Sequence, residues 1–282
     1  MTSMSAADEF LALVSGPDDQ IALDTGCLLI AALGRGRPDD ASVVTDGRAQ
    51  LDQLAARSDA TDVDGLLRYL FGTLGFTGNR DHYDDPRNSY LDEVLDRRCG
   101  IPITLAVVVI EVGRRLGLEL TPVGMPGHFL VGAGPGRYVD AFDGGRVLDA
   151  EGCRRRFQEL AGPGAPWSTE LLAPVGPRSV LTRVLANLRR LFAASHDLHG
   201  LAWVLALRTG IPGVPSTERM ERATVLAALG RFDEAAVELD RLADLEEEGA
   251  PAFHHPSQGP AADVVAAPEL RARAARLRAR LN

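Results

Sequence analysis

Between Ile101 and Leu116 the chain places apolar side chains on nearly every side of a helix, through Leu105, Val107, Val108, Val109, Ile110 and Val112. A helix apolar all round must be buried all round. Its ends are marked. Pro102 suits the first turn, where a missing N–H is no loss, and Gly117 suits the left-handed residue beyond the C-terminus. Arg114 and Arg115 fall near the negative end of the helix dipole, where positive charge is favourable. The run is well short of the ~18 to 20 uninterrupted apolar residues that cross a bilayer. This helix is therefore expected at the centre of a soluble core, with no membrane partner.

The residues that follow indicate what covers it. Glu119–Met125, His128–Ala133 and Arg137–Phe142 are short runs rich in β-branched residues, divided by Pro126-Gly127 and Gly134-Pro135-Gly136. Connectors of this length suit antiparallel neighbours and are too short for the crossover helices of a parallel sheet. Ahead of the central helix, Glu9–Val14, Ile21–Leu33, Gln50–Arg57 and Val63–Leu74 repeat apolar residues at three and four spacing, and Tyr90–Arg98 reads as a short helix that Asn88 or Ser89 can cap. From Pro177 helices return. His196–Leu201 lies over Gly230–Ala235 with a spacing of 34 residues, the period of a tetratricopeptide unit. The expected organisation is an N-terminal helical layer over 1–80, a core over 81–165, and tetratricopeptide-like helical hairpins over 177–282 with a loose linker near 250–267. The fold class is α+β, mostly helical: one buried helix on a small antiparallel sheet, flanked by helices on both sides.

Charge and cysteine usage remove whole classes of function. The chain carries 39 acidic against 30 basic residues, a net charge of -9, and the basic residues are dispersed, so no nucleic-acid partner is expected. Asp8 and Glu9 interrupt the basic-then-apolar pattern of a secretory leader, which makes the cytoplasm the expected compartment. Cys27, Cys99 and Cys153 are widely spaced with no CxxC pair, against both a disulfide framework and a zinc site. No metal or cofactor is expected, since phosphate-binding and dinucleotide motifs are missing too. Cys27 reads as a core residue, Cys153 with Arg154–Arg156 as part of a solvated helix face, and His254-His255 as at most an adventitious metal ligand.

The run Asp85-Pro86-Arg87-Asn88-Ser89-Tyr90-Leu91 has a distinctive texture. So do Arg98, Gly100-Ile101-Pro102-Ile103, Gly124, Pro126-Gly127-His128-Phe129-Leu130-Val131, and Asp140, Phe142, Gly144 and Gly145. With these residues the sequence closely resembles the bacterial SirB-type transglutaminase-like family over about residues 40–165. The resemblance implies a papain-like core and agrees with the tetratricopeptide period, since the family commonly carries such a tail. It implies no known reaction.

Active members of the wider superfamily use a cysteine at the start of the central helix, a histidine on the next strand and an aspartate on the strand after. The helix dipole lowers the thiol pKa, the histidine takes the proton and the aspartate orients the imidazole. By this resemblance His128 and Asp140 fall at the histidine and aspartate positions. The superfamily spacing Gly-x-Cys-x-x-x-Ala, laid on Gly100–Ala106, puts Pro102 where the nucleophile belongs, and Cys99 stands three positions upstream.

Cys99 then reads either as an incidental small residue or as a displaced reactive thiol, and His128 with Asp140 as architecture or as function. Arg87, Asn88 and Tyr90 read as cap and anchor residues or as the lining of a cleft beside His128, which Pro102, Phe129 and Phe142 would share. Three functions follow. The first, and preferred, is a non-catalytic adaptor or regulator that holds a peptide or protein partner. The second is a cysteine hydrolase or acyl transferase using Cys99, His128 and Asp140. The third is a small-metabolite binder.

Overall fold

The computed structural model describes residues 5–36, 41–248 and 265–281. His254-His255 and most of the expected linker lie outside the described residues. The chain divides into two compact units, Met1–Val184 and Leu185–Asn282.

In the first unit, α1 (Ala6–Ser15), α2 (Leu23–Gly34), α3 (Ser42–Ala56) and α4 (Val63–Leu67) precede a pair of two-residue strands, β1 (Thr77–Gly78) and β2 (Cys99–Gly100), with α5 (Leu91–Arg97) between them. Helix α3 begins ahead of the expected Gln50. Its buried stripe is Val43, Gly47, Leu51 and Ala55, and Gly47 interrupts the apolar pattern because it is there to admit Leu28. Strands β1 and β2 pair in parallel, Thr77 with Cys99 and Gly78 with Gly100, and are too short to leave an alternating signature.

The central helix is α6 (Pro102–Arg115), and every residue from Pro102 to Gly113 is buried. Pro102 occupies its first turn. At its end Gly117 takes a left-handed φ of +76°, and the N–H of Leu118 returns to the carbonyl of Gly113 at 2.9 Å. The helix does carry one charge inward. Glu111 is 3% exposed and accepts from Arg114 at 2.9 Å and Arg115 at 2.7 Å. Arg115 reaches on to Asp24 of α2 at 2.7 Å and Asp52 of α3 at 2.6 Å. A carboxylate can be buried here because it is paired and hydrogen-bonded.

Four antiparallel strands follow in simple order: β3 (Thr121–Val123), β4 (Leu130–Gly132), β5 (Tyr138–Asp140) and β6 (Arg146–Leu148). The first three fall inside the expected runs, and β6 is an addition whose Arg-Val-Leu gives no alternation to detect. Helix α6 packs on β3 and β4 and against the turn Ala141–Asp143. On another side α7 (Ala150–Ala161) buries Cys153 and Phe157 against Val123, Met125, Leu130 and Leu172. Cys153 thus belongs to the core, which corrects its reading as part of a solvated face. The first unit closes with the beginning of α8 (Pro177–Ala194), whose Arg178 N–H donates to Asp18 at 2.9 Å.

The second unit contains α9 (Leu198–Arg208), α10 (Thr217–Ala228), α11 (Phe232–Glu247) and α12 (Ala267–Arg278). Gly230, at φ +75°, makes the turn between α10 and α11. Small residues let these helices approach: Ala223, Ala236, Ala243, Ala267 and Ala274 alternate with Leu239, Leu242 and Leu270 in one buried cluster. Arg208 and Glu218 form a buried two-pronged ion pair at 2.6 and 2.5 Å. The whole is α+β and mostly helical.

Candidate functional site

The register of β4 and β5 pairs Val131 with Val139 and Gly132 with Tyr138. Extended toward the strand ends, that register sets His128 across from Phe142 and diagonal to Asp140, on one face because side chains repeat every second residue. Gly127, at φ +75°, turns the chain so that the N–H of His128 donates to the carbonyl of Met125 at 3.1 Å. Phe129 and Leu130 then enter the core, which anchors the histidine backbone.

Asp140 is fully buried, and every acceptor site it has is in use. Its Oδ1 accepts the backbone N–H groups of Phe142 and Asp143, each at 3.1 Å. Its Oδ2 accepts from Arg156 of α7, Nε at 3.1 Å and Nη2 at 3.0 Å. His128 Nε2 lies 2.9 Å from Oδ1. The ring N–H is not aimed along that line, so this is a close electrostatic contact rather than a directed hydrogen bond. Burial alone would raise the Asp140 pKa. His128, Arg156 and the Asp143 amide outweigh it and hold the carboxyl below its ordinary value. Nε2 is thus a buried ring atom without a directed hydrogen-bond partner among the described residues.

Aromatic and cationic groups surround the imidazole. Phe142 stands edge-on to His128 at 6.3 Å, and Tyr83 stands edge-on to Phe142 at 5.8 Å. Arg80 lies over Phe142 at 4.9 Å and pairs with Asp143 at 2.8 Å. Gly78 of β1 packs so closely on Phe142 that a Cβ there would fall 2.6 Å from the Phe142 carbonyl oxygen.

The other sequence-derived candidates separate. Cys99 is half-buried in β2 and makes no hydrogen bond with His128. Pro102 and Phe129 are buried in the same core, Pro102 at the head of α6. Asn88 caps no helix. Its Oδ1 accepts from Asn79 and Arg97, both at 2.9 Å, and its Nδ2 donates to the carbonyls of His82 at 2.8 Å and Tyr83 at 3.2 Å. It ties down the loop that presents Tyr83, while Thr104 of α6 donates to the Asn88 carbonyl at 2.7 Å. Tyr90 is buried over Gly34 of α2. Arg87 is exposed and clasps Asp85 at 2.6 Å.

The other two thiols are sequestered. Burial pushes up the Cys27 pKa, with Glu111 and Asp24 adding to it. Burial, then Asp149 and Asp140, pushes Cys153 up to about 12. Arg156, the residue that neutralises Asp140, is one that sequence reasoning missed. It lies in the run Arg154–Arg156, and its role depends on α7 crossing the end of β5, which leaves no local signal. Among the described residues no three His, Cys, Asp or Glu side chains gather as a metal would require, and no helix is long and apolar enough to cross a membrane.

The arrangement can therefore set an imidazole against a buried carboxylate, and among the described residues no thiol is hydrogen-bonded to the ring.

A family model described as the transglutaminase-like superfamily matches residues 43–186. A UPF0162 protein of Xylella fastidiosa strain 9a5c is 41% identical over 190 residues, covering 63% of this chain and 66% of that protein. The corresponding UPF0162 protein of strain Temecula1 is 50% identical over 132 residues, 45% of this chain and 47% of its own length. Human F-box only protein 21 is 32% identical over 137 residues, 45% of this chain and 21% of the human protein. The chain thus spans 47% and 66% of the length of these two bacterial relatives.

Proposed function

This chain belongs to the transglutaminase-like superfamily, and from that premise we propose that it is a non-catalytic member: a SirB-type core that binds a peptide or protein partner. One observation carries the reading. Pro102, not a thiol, occupies the head of α6, while His128 and Asp140 stand in contact at 2.9 Å with no thiol bonded to the imidazole among the described residues. The human F-box only relative supports it, since there the similar region is about a fifth of a longer chain, as suits a module. Helices α9 to α12, read as tetratricopeptide-like hairpins, would add partner surface.

The competing reading, a cysteine hydrolase or acyl transferase, draws on Cys99 alone. It is the half-buried thiol of the three, and it follows Arg98, a non-glycine residue at φ +52° of the kind that clusters at functional sites.

Alkylation separates the two. The rate of iodoacetamide modification at Cys99 is followed by peptide mass spectrometry from pH 5 to 9, in wild type and in His128→Ala. A binding module gives the same pH profile in both proteins. A tenfold or greater loss of Cys99 reactivity at pH 6 in His128→Ala would establish a working thiol–imidazole couple and overturn the proposal.

A further inference from the structure

In the second unit α12 lies on α11 as an amphipathic helix lies on a receiving surface. Its inner stripe of Ala267, Leu270 and Ala274, at three and four spacing, meets Leu239, Leu242 and Ala243 of α11. Charge is divided in the same way. Arg271 pairs with Asp244 and Glu247 of α11, each at 2.9 Å, and Arg278 with Asp240 at 2.5 Å. Arg280, just beyond the helix, lies over the Phe232 ring at 5.6 Å. A basic helix with a small-residue stripe thus covers an apolar strip that acidic residues border.

The two joints of α11 differ in kind. Toward α10, Glu238 is 2% exposed and accepts from Arg219 at 3.1 Å and Arg222 at 2.8 Å, so this joint cannot part without stranding a buried charge. Toward α12, the ion pairs stand at an exposed rim, where such pairs contribute little and salt screens them. The residues α12 buries are two alanines and one leucine, which offer little apolar area, and a helix of 12 residues is marginal in water by itself. Helix α12 is therefore held more weakly than the α10–α11 hairpin, and local opening draws on elements of that kind. Its release bares Leu239, Leu242 and Ala243 beside Asp240, Asp244 and Glu247, a surface suited to a helix of opposite charge.

We propose that α12 is a built-in occupant of this α11 surface, and that the surface receives in its place a basic amphipathic helix of a partner protein, with a stripe of small residues and leucine. The side chains and charges of α12 itself define that ligand class. The proposal rests on the binding-module reading and adds a helix-receiving surface in the second unit.

The test uses the full chain. Native-state hydrogen exchange at pH 7, read by peptide mass spectrometry and corrected for intrinsic rates, should show Arg271–Leu277 exchanging at least about tenfold faster than Leu239–Ala243. The gap should widen as NaCl rises from about 0.05 M to about 0.5 M. The probe for the surface is a fluorescein-labelled peptide of residues 265–281, followed by anisotropy. It should bind Leu270→Asp, whose own helix is undocked, at least about tenfold more tightly than wild type, where the tethered helix competes at high effective concentration. The same peptide carrying Arg271→Glu and Arg278→Glu should bind at least about fivefold more weakly at low salt, since attraction becomes repulsion.

Exchange of α12 at the α11 rate, no saturable binding to Leu270→Asp, equal affinity for Leu270→Asp and wild type, or indifference to charge reversal overturns the proposal. If Leu270→Asp loses the helical signal of the folded chain, the full chain carrying Arg271→Glu and Arg278→Glu, which keeps the apolar stripe, takes its place. Tighter peptide binding than to wild type then supports the proposal, and equal binding removes it. A wild-type dimer in light scattering that Leu270→Asp dissolves would assign the surface to α12 of a second copy and overturn the assignment to a partner protein. Failure here leaves the binding-module reading intact, because that reading falls only if Cys99 alkylation depends on His128.

Discussion

Replacing Asp140 by Asn tests how far the site depends on one buried charge. Asn retains an oxygen for the amides of Phe142 and Asp143, but its Nδ2 then faces Nε and Nη2 of Arg156, donor against donor. Breaking a buried charge pair by removing one partner costs about 3–5 kcal/mol. Arg156 is 22% exposed on its side chain and keeps Asp143 at 3.2 Å and Glu159 at 3.4 Å. The loss should therefore fall lower, at about 2–3 kcal/mol. Urea unfolding at pH 7 reads it, followed by the fluorescence of Trp167 in a Trp203→Phe background, because Trp167 packs against Phe157 of α7 at 5.6 Å.

The pH dependence has a definite sign. Asp140 has a depressed pKa in the folded state, so its contribution is fully present above the unfolded carboxyl value of about 3.9 and is lost as pH falls through the lower folded value. The difference between wild type and Asp140→Asn should be constant from pH 6 to 8 and should narrow below about pH 4. A difference under about 0.5 kcal/mol at pH 7, or one of the same size at pH 7 and pH 2.5, would refute the account of Asp140 as a charge held by Arg156 and His128.

Three further outcomes are expected. Gly78→Ala should lower the thermal midpoint of the first unit and displace the His128 ring resonances, since a Cβ 2.5 Å from Phe142 Cδ2 overpacks the contact by about 1–3 kcal/mol; an unchanged melt would show that β1 does not brace Phe142. Native protein at pH 8 should take up one equivalent of iodoacetamide, at Cys99, and three after unfolding in guanidinium, because Cys27 and Cys153 are buried with raised pKa values; labelling of Cys153 in the native state would contradict its place in the core. Asn88→Ala removes four hydrogen bonds and should destabilise the first unit by about 3 kcal/mol or more. It should also speed amide exchange over Asn79–Tyr83, and equal protection there in both proteins would assign the loop's order to something else.

The parts legible in the sequence are those whose cause is local. Pro102 and Gly117 mark α6 because first-turn and left-handed positions select those residues wherever they occur. The short connectors dictate antiparallel pairing without knowledge of what the sheet packs on. What could not be read is set by crossings between distant segments. Asn88 looks like a helix cap until the loop from Asn79 to Tyr83 folds over it. Arg156 looks like part of a solvated run until α7 brings it to Asp140, and Arg183 gives no hint that its guanidinium will sit beneath the His128 turn. Glu111 shows the converse: one acid in an apolar helix seems a flaw in the pattern, and Arg115 of the same helix with Asp24 and Asp52 of two others makes it a designed pairing.

Orientation and nucleophile are separable parts of a thiol–imidazole site, and in this chain they are supplied by different physics. The sheet register, the Ala141–Asp143 turn and Arg156 fix Asp140, and Asp140 holds one face of the imidazole. None of these depends on what stands at the head of α6. Pro102 can therefore stand there without disturbing the pair. Proline also stiffens the unfolded chain and fits the first helical turn, so its presence favours the fold. Among the described residues the imidazole Nε2 is buried beside Asp140 without a directed hydrogen bond. The placement of the imidazole and the chemistry at the head of α6 are thus set by separate parts of the fold.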